Sequence, residues 1–174
     1  MLQSNTIELR ALEPADIDIL YTWENDQQLW HLSNTVVPFS KFILEQYIMN
    51  ADQDIYTAKQ LRLIIDKTEG STKTTIGAID LFDFDPVNQR AGVGILIDKS
   101  EQNKGYATQA LELLIEYSFN VLQLHQLYCN ITTDNLASLE LFKKQSFEII
   151  GIKKEWIFTK DKWVDEYLLQ LIKR

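Results

Sequence analysis

The stretch that decides the fold is residues 91–119, AGVGILIDKSEQNKGYATQALELLIEYSF. Residues 91–97 form a continuous apolar run typical of a buried strand, and residues 107–122 repeat apolar side chains at the spacing of one helix face. Between them lies a polar turn around Gly105. Its amides would lie at a helix N-terminus, where free N–H groups and the helix dipole attract an anion. The stretch therefore predicts a strand, a turn and a helix, and the turn is either a plain glycine turn or a phosphate-binding loop.

The flanking sequence extends this unit into a single α/β domain over residues 1–174, because no repeat or linker divides the chain. Apolar runs predict seven strands, at 7–12, 61–66, 75–84, 91–97, 126–131, 147–158 and 163–172. Helical spacing predicts four helices, from 13–14 to about 23–26, and at 39–50, 107–122 and 135–145. The first helix is expected to carry Ile17, Leu20 and Tyr21 inward, and the second has Phe42, Ile43, Gln46 and Tyr47 at helical spacing.

Composition and charge exclude several classes of protein. The chain has 25 acidic and 17 basic residues, a net charge of −8 that disfavours nucleic-acid binding and suits a cationic small substrate. No apolar run approaches the roughly 20 residues that cross a membrane. The single cysteine, Cys129, has no partner for an intramolecular disulfide, and no Cys/His cluster predicts a metal site. A cytoplasmic protein without metal is expected.

Two motifs resemble those of the GNAT superfamily of N-acetyltransferases. After the strand, Gln102-x-x-Gly105-x-Ala107 is similar to the family's Q/R-x-x-G-x-G/A loop. About 30 residues later, Asn135-x-x-Ser138, with Leu141-Phe142-x-Lys144 and Phe147, resembles its Asn-x-x-(Ala/Ser)…(Tyr/Phe)-x-Lys-x-Gly-Phe segment. The order of elements from residue 7 to residue 172 also matches. The resemblance is closest to the branch of ribosomal-protein N-terminal acetyltransferases and bacterial spermidine acetyltransferases, and it implies the acyl-CoA N-acyltransferase fold, with a mixed, mostly antiparallel sheet.

The resemblance implies acetyl-CoA as co-substrate. In this family the pyrophosphate of coenzyme A lies on the loop amides, and the pantetheine arm pairs with the preceding strand. A backbone N–H of that strand would also stabilise the oxyanion formed during transfer. The contacts that the resemblance implies are Ile95, Leu96, Ile97, Gln102, Asn103, Lys104, Gly105, Tyr106, Ala107, Thr108 and Asn135.

The two catalytic side chains common in the family are absent. Family members commonly place a Tyr, which protonates the thiolate, at the position of Phe142, and often a Glu at the position of Gly92. Ser138 matches a Ser that meets the thiolate in the ribosomal-protein branch, although a helix hydroxyl can also bond its own backbone. Asp80 is the first candidate for the base and Glu155 the second, each with a plain surface carboxylate as the alternative. A water chain ending at any acid would also serve.

The acceptor side is expected to involve the N-terminal helices. Trp23 and Asn25 lie in a segment that resembles the Trp-x-Asn of this branch and would line the acceptor pocket; the alternative for Trp23 is a core aromatic.

The predicted function is transfer of acetyl from acetyl-CoA to a primary amine by direct attack in a ternary complex. No acyl-enzyme is expected, because Cys129 has no adjacent His. The acceptor is a polyamine, another small amine or a peptide N-terminus. The alternative is an acyl-CoA-binding sensor or an enzyme that uses a longer acyl group. The sequence does not determine the oligomeric state, although a homodimer is the commonest closed assembly.

Overall fold

The computed structural model describes residues 2–33, 35–51, 53–159 and 161–174. The strands are β1 (Leu2–Gln3), β2 (Ile7–Ala11), β3 (Leu61–Glu69), β4 (Thr72–Asp85), β5 (Arg90–Ile97), β6 (Gln126–Thr132), β7 (Glu148–Thr159) and β8 (Lys162–Ile172). The helices are α1 (Ile17–Glu24), α2 (Trp30–Ser33), α3 (Lys41–Met49), α4 (Ile55–Ala58), α5 (Tyr106–Asn120) and α6 (Leu136–Lys144). Single 3-10 turns lie at Pro14–Asp16 and Lys99–Glu101.

The strands form one mixed sheet in the order β1-β2-β3-β4-β5-β6-β8-β7. Only the β5–β6 pair is parallel within the described residues, and α5 makes the crossover between those two strands. The predicted mixed, mostly antiparallel α/β sheet is confirmed, with eight strands in place of about seven. The additional strand, β1, pairs through Leu2↔Leu9 and Gln3↔Glu8, which is too short to leave an alternating pattern in the sequence.

Each face of the sheet buries its own apolar core, because successive side chains of a strand point to opposite faces. On β4, Ile79 and Leu81 belong to the larger core, which packs against α5 and α6. Ala78 belongs to a smaller core with Leu20 of α1 and Leu44 of α3. Helices α1 and α3 therefore cover the second face, and we call this side of the sheet the α1/α3 face.

The N-terminal helices differ in detail from the prediction. In α1 the buried side chains are Leu20 and Trp23, whereas Tyr21 is 40% exposed. In α3 Leu44 and Ile48 are buried instead of Phe42, which is 63% exposed. The apolar residues of α3 lie on several faces, so the sheet surface decides which of them is buried. Two further one-turn helices, α2 and α4, were not predicted.

The parallel strands β5 and β6 separate along their length. They pair only from Arg90↔Gln126 to Gly92↔Tyr128. Beyond that point β5 stays paired with β4 as far as Gly77↔Ile97, and β6 stays paired with β8 as far as Thr132↔Glu166. A cleft therefore opens in the middle of the sheet. None of the described helices is long and apolar enough to span a membrane.

Candidate active site

The cleft between β5 and β6 holds a cavity of about 140 Å³. It is lined by Val93, Gly94, Ile95, Cys129, Asn130, Ile131, Thr132, Asn135, Ser138, Phe142 and Glu166. Because β5 has left β6 here, the backbone edge of residues 93–97 is open to an added strand-like ligand. Of the predicted site residues, Ile95, Asn135 and Ser138 lie in the lining. A second cavity, of about 180 Å³ between Ser146 and Arg174, contains none of them.

The polar turn after β5 is open and left-handed at its centre. Gly105 is the N-cap of α5 with φ of 83° and ψ of 0°, and Asn103 also has a positive φ, of 61°. A Cβ placed on Gly105 would find no atom within 4 Å, so the loop leaves free space above its backbone. Gln102 donates from Nε2 to the Ile97 carbonyl at 2.9 Å, which fixes the loop to the end of β5.

The amides of this loop point to an anion site. The first helical bond of α5 runs from the Gln109 N–H to the Gly105 carbonyl at 3.3 Å, so the amides of residues 106–108 precede the helical ladder. The Lys104 ammonium lies 3.0 Å from Glu101. Hydrogen bonds from Lys104 and then Lys67 lower the pKa of Glu101. The Lys104 ammonium is thus paired with Glu101, and the backbone N–H groups at the start of α5 are the other donors that the loop offers to an anion.

Helix α6 presents its first turn to the cleft. Asn135 caps it, accepting from the Ser138 N–H at 3.2 Å, and the Ser138 side chain lines the cavity. Phe142, one turn later, is buried and packs edge-on against Phe147, with ring centroids 5.0 Å apart. The helix ends in a left-handed residue, Ser146, with φ of 65°.

The space beside Gly92 is filled by an aromatic ring. A Cβ on Gly92 would come within 2.3 Å of Phe82 Cε2 on β4. The Phe82 ring in turn packs edge-on against Tyr128 at 6.0 Å, and the Tyr128 hydroxyl donates to Asp83 at 3.3 Å. Burial, followed by the Asp83 charge, raises the pKa of Tyr128 to about 12. No side chain fits at position 92 unless Phe82 moves.

Glu166 is a cleft carboxylate that sequence reasoning missed. It is only 8% exposed and forms an ion pair with Lys153, which also donates to Asn130 Oδ1 at 2.9 Å. The signal lay in the sequence of β8, where Glu166 is two residues from Val164 and from Leu168 and therefore shares their face. A carboxylate in such an inward position is rare unless it is paired or functional.

Cys129, also missed as a cleft residue, is 1% exposed. Burial raises the pKa of its thiol, which keeps it protonated and a poor nucleophile.

Asp80 is held by an arginine and is not a free carboxylate. Arg62 bonds both oxygens of Asp80, at 2.7 and 3.0 Å, and also reaches Glu24 at 2.5 Å. Burial alone would lower the pKa of Arg62, but the charges of Asp80 and Glu24 outweigh burial and raise it. Asp80 lies opposite Gly94 in the β4–β5 register, next to the cleft. As a base it would first have to break a bidentate ion pair, so the structure argues against its predicted role.

Glu155 does not reach the cleft. It lies in a bulge of β7 between Lys153 and Ile157, with φ of 47°, and its side chain is exposed. Its N–H donates to Asp165 at 2.8 Å. The bulge, which the apolar pattern of β7 did not predict, takes Glu155 out of the strand alternation, and it is absent from the cavity lining. The prediction of Glu155 as second candidate for the base is therefore corrected.

The predicted acceptor residues Trp23 and Asn25 hold the helices together. Trp23 is buried in the core under the α1/α3 face, and its indole N–H donates to Asp98 at 2.7 Å. The Asn25 amide donates to the carbonyls of Tyr21 and Phe39 and accepts from the Phe39 N–H. The polar groups of both side chains are hydrogen-bonded within the protein. Trp23 is therefore a core aromatic, the alternative to an acceptor-pocket residue. Asn25 connects α1 to the segment just before α3.

Comparison with known proteins identifies the family. Residues 6–148 match the family model described as "Acetyltransferase (GNAT) domain". The chain belongs to the GNAT acetyltransferase family. It is 25% identical to an uncharacterized N-acetyltransferase, p20, of Bacillus licheniformis, over 99% of this chain and 96% of that one. It is 24% identical to a spermidine N(1)-acetyltransferase of Vibrio cholerae, over 96% and 95% of the two chains.

The fold agrees with this assignment. A crystal structure of spermidine N-acetyltransferase from Vibrio cholerae in complex with CoA and spermine matches with a TM-score of 0.86 and 22% identity. The match covers 97% of this chain and 96% of that one. Together with the family match, this supports an acetyl-CoA-dependent N-acetyltransferase, as the motifs predicted. The cleft, the loop and the capped α6 are where the GNAT resemblance expects coenzyme A.

Proposed function

We propose that this GNAT enzyme acetylates a primary amine of a small cationic acceptor, a polyamine or a similar amine, by direct attack in a ternary complex. The observation that carries the proposal is the cleft, which places the open edge of β5 beside the buried carboxylate of Glu166. Two relatives of known acceptor, named as spermidine acetyltransferases, support a polyamine. A peptide N-terminus is the other acceptor that the assay below tests.

Coenzyme A would bind along the open edge of β5, with its pyrophosphate on the amides of residues 102–108. The fit is supported by the free space above Gly105 and by the amides that precede the ladder of α5. An N–H of Ile95, at the open edge, is suited to hold the thioester oxygen. One such donor lowers the barrier by about 3 kcal/mol.

Ser138 would donate to the departing thiolate. Ser138 lines the cleft one helical turn before Phe142, whose side chain has no acidic proton for the thiolate. Cys129 shares the cleft, but its raised pKa and burial disfavour an acyl-enzyme. Direct attack by the amine is therefore the route that this lining supports.

The acceptor would approach from the α1/α3 face, opposite the side on which α5 packs. Gly94 lines the cleft without a side chain, and the nearest atom to a Cβ there would be Phe82 Cε1 at 3.8 Å, so a narrow amine can reach the cleft between the strands. Three acidic side chains on this face, Glu24, Asp80 and Glu166, are accompanied by two basic ones, Arg62 and Lys153. This excess of negative charge favours a cationic acceptor.

Release of free thiol from acetyl-CoA tests the proposal. The enzyme should release thiol with spermidine, spermine or a related diamine, and far more slowly with acidic amino acids. Turnover only with peptides that carry a free N-terminus would redirect the proposal to a protein acceptor. If coenzyme A binds but no amine or peptide releases thiol, the domain is an acyl-CoA sensor or uses a longer acyl group, and the proposed activity is wrong.

Location and assembly belong to the same proposal. A cytoplasmic enzyme is supported by the single, buried Cys129. A homodimer is supported only by the general preference for two-fold assembly. Light scattering on the purified enzyme, which separates a mass near 20.3 kDa from one twice as large, tests the dimer.

A further inference from the structure

We infer that Glu166 accepts the proton of the acceptor ammonium, in place of the strand carboxylate that the GNAT resemblance expects at position 92. This inference rests on the proposed function, because it names the base of that reaction.

The usual position cannot hold an acid in this chain. The Phe82 ring has three atoms between 2.3 and 2.8 Å from a Cβ on Gly92. The Phe82 ring also packs edge-on against Tyr128, so an aromatic pair fills the space beside Gly92. A primary ammonium has a pKa of about 10.4, so attack at neutral pH still needs a proton acceptor on this face.

Glu166 lies on the correct face of the sheet. Tyr128 pairs with Gly92 across β5 and β6, and Thr132, four residues further along β6, pairs with Glu166 on β8. Partners in a ladder share a face, and so do residues separated by an even number along a strand. Glu166 therefore shares the α1/α3 face with Gly92 and Gly94, and it lines the same cavity as Gly94 and Ser138.

Its carboxylate is held less tightly than that of Asp80. Arg62 engages both oxygens of Asp80, whereas Lys153 contacts one oxygen of Glu166, Oε2. The Lys153 ammonium also donates a hydrogen bond to Asn130 Oδ1 and lies 4.9 Å from the centroid of the Trp156 ring. Lys153 contacts one oxygen of Glu166 only, and this geometry leaves the carboxylate able to take a proton.

The remaining ionisable groups near Glu166 are few. Lys153 faces it from β7, and Cys129, protonated because of its burial, is the other titratable side chain in the cavity lining. Asp165, its neighbour on β8, is paired with Lys154. Lys153 is thus the charged group in contact with Glu166.

The proton balance is complete without a further reactant. Glu166 takes one proton from the substrate ammonium, and the free amine forms a C–N bond with the acetyl carbonyl carbon. The C–S bond then breaks, and the second proton of the nitrogen reaches the thiolate through the Ser138 hydroxyl. Glu166 afterwards releases its proton to solvent. The products are the acetylated amine, free coenzyme A thiol and one proton.

The test is Glu166→Gln, measured by thiol release over pH 5.5–9.5 with the amine that the wild type acetylates best. We expect kcat to fall about 100-fold or more, with loss of the low-pH limb of the rate profile. Coenzyme A affinity by calorimetry should stay within about twofold, because Glu166 lies on the acceptor face. Glu166→Asp should retain part of the rate, and Glu140→Gln, an exposed carboxylate on α6, should match the wild type.

Each outcome decides one point. A Glu166→Gln enzyme that melts like the wild type and keeps its kcat and pH profile overturns the inference while the proposed function stands. Lys153→Met supplies a second measurement should Glu166→Gln unfold: loss of the cation should move the low-pH limb upward, and an unmoved limb also overturns the inference. A wild type that releases no thiol with any acceptor overturns the proposed function, and the inference with it.

Discussion

The contact between Phe82 and Gly92 makes a quantitative prediction. Gly92→Ala adds one methyl group, whose carbon would lie 2.3, 2.5 and 2.8 Å from three atoms of the Phe82 ring. Such overpacking costs about 1–3 kcal/mol, because the ring must leave its contact with Tyr128. For a domain of this size that is a fall in melting temperature of about 2–12 °C.

A double-mutant cycle isolates this contact. In the Phe82→Ala background the added methyl group no longer meets the ring. Gly92→Ala should therefore leave the free energy of unfolding of that variant almost unchanged. The coupling free energy between the two positions should be about 1–3 kcal/mol, measured by urea denaturation.

Gly94→Ala is the matched control. It lies on the same strand and face, and the nearest atom to its Cβ would be Phe82 Cε1 at 3.8 Å, an ordinary contact. It should be neutral, or stabilising by up to about 1 kcal/mol through a less flexible unfolded chain. Equal stabilities of Gly92→Ala and Gly94→Ala would refute the idea that Phe82 fills the position of the missing acid.

Three further predictions follow from single residues. Ser146→Gly should raise the free energy of unfolding by about 1 kcal/mol, because Ser146 has φ of 65° where the family motif has Gly; a loss of stability in urea would contradict this. Ser138→Ala should lower kcat at least tenfold and leave coenzyme A affinity within about twofold; equal losses in both would assign Ser138 to binding. Burial would raise the pKa of Asp16, but hydrogen bonds from Arg10 and the Glu13 N–H lower it overall. That stabilisation is present above the unfolded pKa of about 3.9 and is lost as pH falls through the lower folded pKa. Asp16→Asn should therefore flatten the fall in stability below about pH 4, and an unchanged slope would exclude the Arg10 contact as its cause.

Local patterns predicted the elements of the proposed coenzyme A site. The apolar run of β5, the glycine of the loop and the capping Asn135 each lie within a few residues of the structure they determine. Strand β1 was not predicted, because a strand of two residues has no apolar periodicity. The buried face of α3 was missed because its apolar residues surround the helix, and contact with Ile64 and Ala78 on the sheet selects Leu44.

The chemistry of the cleft depends on contacts distant in sequence. Phe82 fills the space at Gly92 from the neighbouring strand, and no local pattern predicts that contact. Glu166 enters the cleft only because β5 and β6 separate, which the parallel pairing and the crossover of α5 determine together. Asp80 was favoured by its strand position, but Arg62, 18 residues away, engages both of its oxygens. Side-chain partners of this kind require the folded structure.

The central claim is that the loop around Gly105 and the open edge of β5 bind coenzyme A. The most direct test is calorimetric titration of coenzyme A into the wild type and Gly105→Glu, whose carboxylate and side chain would occupy the phosphate site. Gly105→Ala has the same strain at φ of 83° without the charge, and Gly70→Glu places the same side chain at φ of 62° in a distant turn. We predict at least a tenfold loss of affinity for Gly105→Glu, a smaller loss for Gly105→Ala and none for Gly70→Glu. Wild-type affinity in Gly105→Glu would contradict the account.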